Sequence, residues 1–586
     1  TAGSPTDAAQ VREVADRVAA EIEAAGYTVY NVNVTNPGQH PAQAIIDTVL
    51  LLMGALSVLA VFLSAFLVTN TITALLGQQV RQIGVMKALG ATMGQVMGIY
   101  LGVVLGFGGL ALLIAMPLAA LAAYGLSRWL VTMLNATPSA FAIPPLSLAL
   151  QLLIGLAVPL LAALVPVVGG ARRTVREAMT TYGLSASSQS GMLDRLVDAL
   201  PWLPRPLLLS LRNTFRRKGR LGLTLATLTL GGAIFIAMLG VRESLYWEIN
   251  ESFGAYQSDV NVELAQRYPL VAVEAALADV SGVTAVEGWR TTKANVPHAD
   301  DTASDQIVVY APPVDTALRP VTLLDGRWLQ PTDAQAIVVD NHFADLRPDV
   351  GVGDVVRLRL NDRETAVTIV GVFRLASNVP NPITYVTADV LVELEGGAGE
   401  VNSLRLITDR HDLARQEEAL AAAQTRLSEQ GYAATLTTGG QIIAQQRSRI
   451  DILITLLLLM GLLIALVGGL GLMGTMGMNV LERTREIGVL RAVGATHGAV
   501  FQMVIVEGAL IGLISWALSA IVAVPITQFL DNRLGEQLLT MPIVYIFSLN
   551  GLGLWLVGAL LLATIASLLP ARSAVRLTVR DTLAYE

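Results

Sequence analysis

The chain has 586 residues, of which 53% are hydrophobic and only 15% charged, against about 25% charged in an ordinary soluble domain. It contains no cysteine, which excludes disulfides, thiolate metal sites and cysteine nucleophiles. The formal net charge of −7 discriminates little, because membrane proteins sort their charge by side.

Taken in chain order, the opening TAGSPTDAAQ has neither an initiator Met nor the basic and apolar regions of a signal peptide. Charge is then nearly absent from seven runs: 46–76, 96–126, 147–170, 221–242, 450–478, 500–530 and 546–570. A helix needs about 20 apolar residues to cross a bilayer, whereas a barrel strand would show only about 10 alternating ones. Seven membrane helices are therefore expected, and those near 30 residues must tilt or project. Pro117, Pro159 and Pro525 fall inside spans and are expected to kink them.

Basic residues fix the orientation. Arg172, Arg173 and Arg176, the run RNTFRRKGR at 212–220, and Arg572, Arg576 and Arg580 all fall on one side if seven spans alternate. Arg81, Lys87, Arg483, Arg485 and Arg491 join them. That side is expected to be the cytoplasm. The run 212–220 is read as a topogenic flank facing lipid headgroups, and no nucleic-acid partner is expected.

The opposite side receives the stretch 243–449, which reads as mixed α/β. Strands are expected at DVNVEL, VTAVEGW, QIVVYAP, AIVVDN, GDVVRLRL, TAVTIVGVF, SLRLIT and YAATLT, from period-2 alternation and β-branched content. Helices are expected at VAVEAALADV and LARQEEALAAAQTRLSEQ.

Two stretches repeat. QIGVMKALGAT at 82–92 and EIGVLRAVGAT at 486–496 share seven of eleven residues at an offset of 404. The same offset aligns Pro166 with Pro570, Arg172 with Arg576 and Arg176 with Arg580, so the chain is duplicated. The second half reads as span, outer domain, three spans. The first half has three spans preceded by a tail, EAAGYTV, similar to SEQGYAA at the end of the outer domain. Symmetry leads to the expectation that a first span and most of a first outer domain precede Thr1, the alternative being a naturally shortened chain. The expected divisions are a remnant of an outer domain (1–45), a first permease repeat (46–182), a linker (183–220), a span (221–242), an outer domain (243–449) and a second repeat (450–586).

The repeated stretch has no Gly-Lys-Ser/Thr phosphate loop. Its charges and aliphatic residues interleave around the helix, which suits burial between two surfaces. The plain alternative is a solvated connector, and duplication weighs against it. Gly90, Gly94, Gly98, Gly102 and Gly106 continue from it at four-residue spacing. They form a small face expected to pack closely against another helix, as a static seam or a sliding one. Glu507 lies within a span, where charge is expensive. A hydrogen-bonded structural role and a substrate or proton role both remain open. The five histidines show no metal-ligand spacing, and neither GxSxG nor HExxH occurs. No enzyme, metal or cofactor is expected.

IGVLRAVGAT and IGVMKALGAT resemble the cytoplasmic coupling segment of FtsX-like permeases, the family that includes the MacB and LolC/LolE membrane subunits. LLDGRW, VGVGDVVRL and TIVGVF resemble the MacB-like periplasmic core. The resemblance implies a type VII ABC transporter membrane subunit: an α-helical membrane protein of 4+4 spans, seven visible and the first missing, with an α+β extracytoplasmic domain. It implies that Gln78–Thr92 and Glu482–Thr496 dock onto separate ATPase subunits, two for a chain that is its own pseudo-dimer. Arg81, Lys87, Arg485, Glu486 and Arg491 would then make polar contacts, and Gly84, Gly90, Gly488 and Gly494 would permit close backbone approach. Gln78, Gln79 and Gln82 stand opposite Glu482, Arg483 and Glu486, so the halves are not expected to dock identically. The implied function is transmission of ATP-driven motion to the outer domain of a bacterial cytoplasmic-membrane protein. The substrate would be an amphiphile such as a lipid, lipoprotein, peptide or drug, and an extracytoplasmic accessory protein is a candidate partner. The competing reading is a signalling scaffold that activates a cell-wall hydrolase.

Overall fold

The computed structural model describes residues 8–24, 43–133, 142–176, 218–254, 258–298, 304–313, 315–316, 318, 322–360, 363–375, 381–539 and 541–576. The EAAGYTV tail beyond 24, the linker up to 217 and the C-terminal tail with Arg580 lie outside them. The chain divides into two compact units. One comprises Thr1–Leu51, Gly240–Leu456 and Thr527–Phe547, the other Leu52–Leu239, Leu457–Ile526 and Ser548–Glu586.

Among the described residues seven helices are long and apolar enough to cross a membrane. They are α2 (Gln43–Gln78), α4 (Met93–Met133), α5 (Pro145–Arg172), α6 (Lys218–Gly254), α11 (Gly439–Glu482), α13 (His497–Leu538) and α14 (Leu549–Arg576). Each expected span is present. The last begins at Leu549 rather than 546, because Ser548 accepts the Gly551 N–H at 3.0 Å and so starts the helix there. A shorter helix, α1 (Ala8–Ala24), precedes them. Two nine-residue helices, α3 (Val80–Ala88) and α12 (Thr484–Ala492), sit between spans.

In the second unit α6 is the most enclosed span: 72% of its apolar window is buried, against 11% for α2, α4 and α5. Small residues allow this enclosure. Gly231 lies against the Ala465 backbone of α11, and Gly232 against Trp555 and Ser519, so the helix axes approach closely.

In the first unit the chain forms β1 (Val260–Pro269), α7 (Leu270–Leu277), β2 (Val283–Pro297), β3 (Ser304–Ala311), β4 (Leu323–Gly326), β5 (Ala336–Asp340) and α8 (Asn341–Leu346). It continues with β6 (Val355–Leu360), β7 (Arg363–Phe373), β8 (Ile383–Val386), α9 (Ala388–Glu395), β9 (Glu400–Thr408), α10 (Leu413–Glu429) and β10 (Ala434–Thr438). The strand β2 belongs to two sheets. Val283–Trp289 pairs with β9 in the layer β10-β1-β9-β2, and Arg290–Pro297 pairs with β3. Beyond that switch β2-β3-β8-β5-β7-β6 closes on itself through Asn295 opposite Arg359, which removes free edges from the ring. Val296, Ile307, Val309, Ile337, Val339 and Leu358 fill it. Helices α7 and α10 cover the open layer with Val273, Leu277, Ala419, Ala423 and Leu427.

Every expected strand and helix of this domain is present. The sequence reading misses β4, β8, α8 and α9. LLDG and ITYV are only four residues long, too short for a periodic signal. The six-residue α8 depends on Asp340, whose side chain accepts the Phe343 N–H. The unbroken apolar run of β5 has a physical cause. Ile337 and Val339 face the ring core, while Val338 joins a separate cluster with Trp289, Phe373 and Tyr385, so both faces are buried.

Candidate functional site: two equivalent helical elbows

The repeated stretch folds twice into the same elbow. The long helix ends, one residue breaks it (Gln79 at φ −102°, ψ 10°; Arg483 at φ −102°, ψ 14°), and the short helix follows. The exit is set by the Gly-Ala-Thr triplet. Gly90 at φ 98° and Gly494 at φ 108° take the left-handed conformation that only glycine adopts cheaply. Ala91 N–H donates to the Met86 carbonyl at 3.0 Å and Ala495 N–H to the Leu490 carbonyl at 2.9 Å, completing a Schellman stop. Thr92 and Gln95 then exchange hydrogen bonds as a capping box for α4. In the second copy Thr496 accepts the Ala499 N–H, but Ala499 cannot answer.

Each short helix has an inner and an outer face. Ile83 and Gly84 are buried, as are Ile487 and Gly488. Ile83 packs with Leu76, Val96, Tyr100 and Val167, and Ile487 with Val480, Val500, Val504 and Ala571, each pair 404 residues apart. Lys87 Nζ donates to the carbonyls of Ala171 at 2.5 Å and Arg173 at 2.6 Å. Arg491 Nη1 donates to the Val575 carbonyl at 3.2 Å. Both cations thus sit on the carbonyl end of the repeat's last span, where the helix dipole favours positive charge.

These positions give the expected contact residues partners inside their own repeat. Lys87 and Arg491 brace the repeat through those carbonyls. Gly84 and Gly488 face the repeat's own core, and Gly90 and Gly494 are needed for the turn. A Cβ at Gly94, Gly98, Gly102 or Gly106 would meet nothing within 4 Å, so that face has no packing partner among the described residues. The close approach of α4 to α5 is made by Gly108 and Gly155 instead, and that of α13 to α14 by Gly512 against Ala559 and Ala563.

What faces out is a stripe at i, i+4 and i+8. Arg81, Val85 and Leu89 are exposed on α3 and its cap, and Arg485, Val489 and Val493 on α12. Leu89 is 84% and Val493 85% exposed, the largest values for apolar side chains in these elbows. Glu486 is exposed and ion-pairs with Arg483 at 3.0 Å. The apolar members of the stripe follow Arg81 and Arg485 at four-residue spacing, a signal the sequence carries only weakly because aliphatic residues surround it.

Beneath the outer faces the two elbows differ. In the first, the Tyr100 hydroxyl donates to Gln79 Oε1 at 2.8 Å. In the second, Glu507, 2% exposed, accepts from Asn479 Nδ2 and Arg483 Nη1, both at 3.3 Å. Glu507 is thus a hydrogen-bonded, ion-paired residue of α13.

A joint is also built within the other unit. Arg374, at the end of β7, donates to both carboxylate oxygens of the fully buried Glu248 on α6, at 2.9 and 2.7 Å, and to the Pro542 carbonyl at 3.4 Å. Thr322 donates to Glu251 and Arg447 of α11 to Asn250. Among the described residues no group of three His, Asp or Glu could hold a metal ion.

The model of the FtsX-like permease C-terminal family matches residues 54–175 and again 458–579, at the same 404-residue offset. The MacB-like periplasmic core domain matches 221–428. An uncharacterised ABC transporter permease of Methanocaldococcus jannaschii is 23% identical over 270 residues, covering 45% of this chain and 65% of that one. The macrolide export ATP-binding/permease protein MacB of Bordetella avium is 33% identical over 186 residues, covering 31% of this chain and 28% of that one. The matches span less than two thirds of either relative. Among solved structures, the periplasmic region of MacB from Actinobacillus actinomycetemcomitans is covered over 96% of its length by 34% of this chain, at 14% identity and a TM-score of 0.25.

Proposed function

The chain belongs to the FtsX-like permease family, an ABC transporter permease with a MacB-like periplasmic core domain, and we propose that it works as a mechanotransmitter. It is a multi-pass membrane protein, which this reading places in a bacterial cytoplasmic membrane with both elbows in the cytoplasm. Separate ATPase subunits, one per elbow, grip the stripes Arg81-Val85-Leu89 and Arg485-Val489-Val493. The cation orients the contact and the exposed aliphatic pair supplies area released from water. The glutamate and arginine around the second stripe make it the more charged of the two.

The observation that carries the reading is the duplicated elbow with its outward stripe. Helix α11, which leads into the second elbow, starts from a capping box formed by Thr438 and Gln441 and ends at Glu482.

In this reading ATP hydrolysis belongs to the partner, and the moving outer domain expels or extracts an amphiphile. The test is transport. Vesicles rebuilt from the full chain with its ATPase should lose a fluorescent lipopeptide from the bilayer only when ATP is present. No ATP-dependent loss, together with ATP-dependent activation of a cell-wall hydrolase, would favour a signalling scaffold.

A further inference from the structure

The two elbows share a backbone and a core, but different chemistry ties each short helix to the next span. In the second elbow Arg483 occupies the break between α11 and α12, with its side chain 16% exposed. From there it reaches Glu486 on α12 at 3.0 Å and Glu507 on α13 at 3.3 Å. Asn479 on α11 closes the set by donating to the same Glu507. The Glu507 carboxylate of α13 thus holds Asn479 of α11 and the break residue Arg483, which in turn pairs with Glu486 of α12, at a narrow cleft lined by Met476, Val480, Val500, Met503 and Val504.

At the same offset the first elbow has Leu75, Gln79, Gln82 and Val103. No ionisable group of that set remains, and the tie is the neutral Tyr100–Gln79 bond. Buried ionic ties are hard to break one partner at a time, because separation strands a charge in a poor solvent. A neutral pair can exchange its bond for another at little cost.

We propose that Arg483, Glu507 and Asn479 are positioning residues that make the second elbow a stiff handle, while the first is compliant. This deepens the reading above and rests on it: a push on α12 reaches α11 and α13 together, whereas α3 can yield before α4 moves. Glu507 then serves force transmission by anchoring Arg483 at the break. It is neither a substrate ligand nor a proton carrier in this account.

The test is amide hydrogen exchange on the full chain in lipid nanodiscs, without ATPase. Residues 487–490 of α12 should exchange at least about tenfold more slowly than residues 83–86 of α3. Glu507→Gln should abolish most of that difference, and Arg483→Lys, which keeps the charge, should preserve part of it. A transplant of the ionic set, Leu75→Asn/Gln79→Arg/Tyr100→Val/Val103→Glu, should slow exchange in α3. A residue needed only for folding would not transfer protection in this way. Equal exchange in α3 and α12 of the unsubstituted chain would overturn the proposal, as would unchanged α12 exchange in Glu507→Gln. Because no ATPase is present, this outcome is independent of whether ATPase subunits bind the stripes.

Discussion

Arg374 and Glu248 meet in a two-point ion pair of 2.9 and 2.7 Å, with Glu248 fully buried. The glutamate has no route to water, so its charge is acceptable only while the guanidinium is in place. Arg374→Ala should therefore destabilise the outer domain by about 3–5 kcal/mol. The double change Glu248→Ala/Arg374→Ala should cost clearly less than the sum of the single ones. Denaturant unfolding of the full chain, followed by exchange of the β7 amides, measures both; strict additivity would show that the pair does not act as a unit.

The glycines of the repeated stretch separate into two classes by backbone angle. Gly90 and Gly494 have positive φ with open space around the Cβ position, so alanine there should cost about 1–2 kcal/mol through the backbone alone. Gly94 and Gly98 have ordinary helical angles and equally open surroundings. Alanine at these should leave stability unchanged or raise it by up to about 1 kcal/mol. Thermal unfolding of the four single variants checks this, and a large loss at Gly98 would reveal a partner helix on that face.

Asp340 gives the outer domain a pH signature. Burial pushes its carboxyl up to about 6, against the opposing pull of hydrogen bonds from the Ile383 and Phe343 N–H groups. A folded value above the unfolded one means that folding favours the protonated acid. This group's contribution is therefore full below about pH 4 and lost as pH rises through about 6. The change amounts to about 3 kcal/mol between those limits. Opening free energies from exchange of the β5 and β8 amides should fall over that window, and Asp340→Asn should flatten the dependence.

Much of this was legible in the sequence because the signals are periodic. Seven apolar runs, eight strands and the 404-residue offset all follow from patterning that needs no tertiary knowledge. The individual roles of residues were less accessible. The partners of Lys87 are backbone carbonyls of Ala171 and Arg173, which have no sequence signature. The turn at Gly90 is hidden in the sequence because left-handed φ and close approach favour the same residue type. The Glu507–Arg483 pair is separated by 24 residues. It becomes evident only once the break between α11 and α12 places Arg483 beside α13. Leu89 and Val493 are ordinary aliphatics in the sequence, and their 84% and 85% exposure is evident only in the structure.

An ATPase that grips the two outward stripes should stay with the full chain through affinity purification from its native membrane. ATP hydrolysis should co-purify with the unsubstituted chain. It should fall at least about tenfold in Arg81→Glu/Arg485→Glu, where both stripes carry reversed charge. Both substituted side chains are exposed, so the fold should survive, and unchanged circular dichroism would confirm that it does. Undiminished ATPase activity with the charge-reversed chain, or none with the unsubstituted one, would contradict the account.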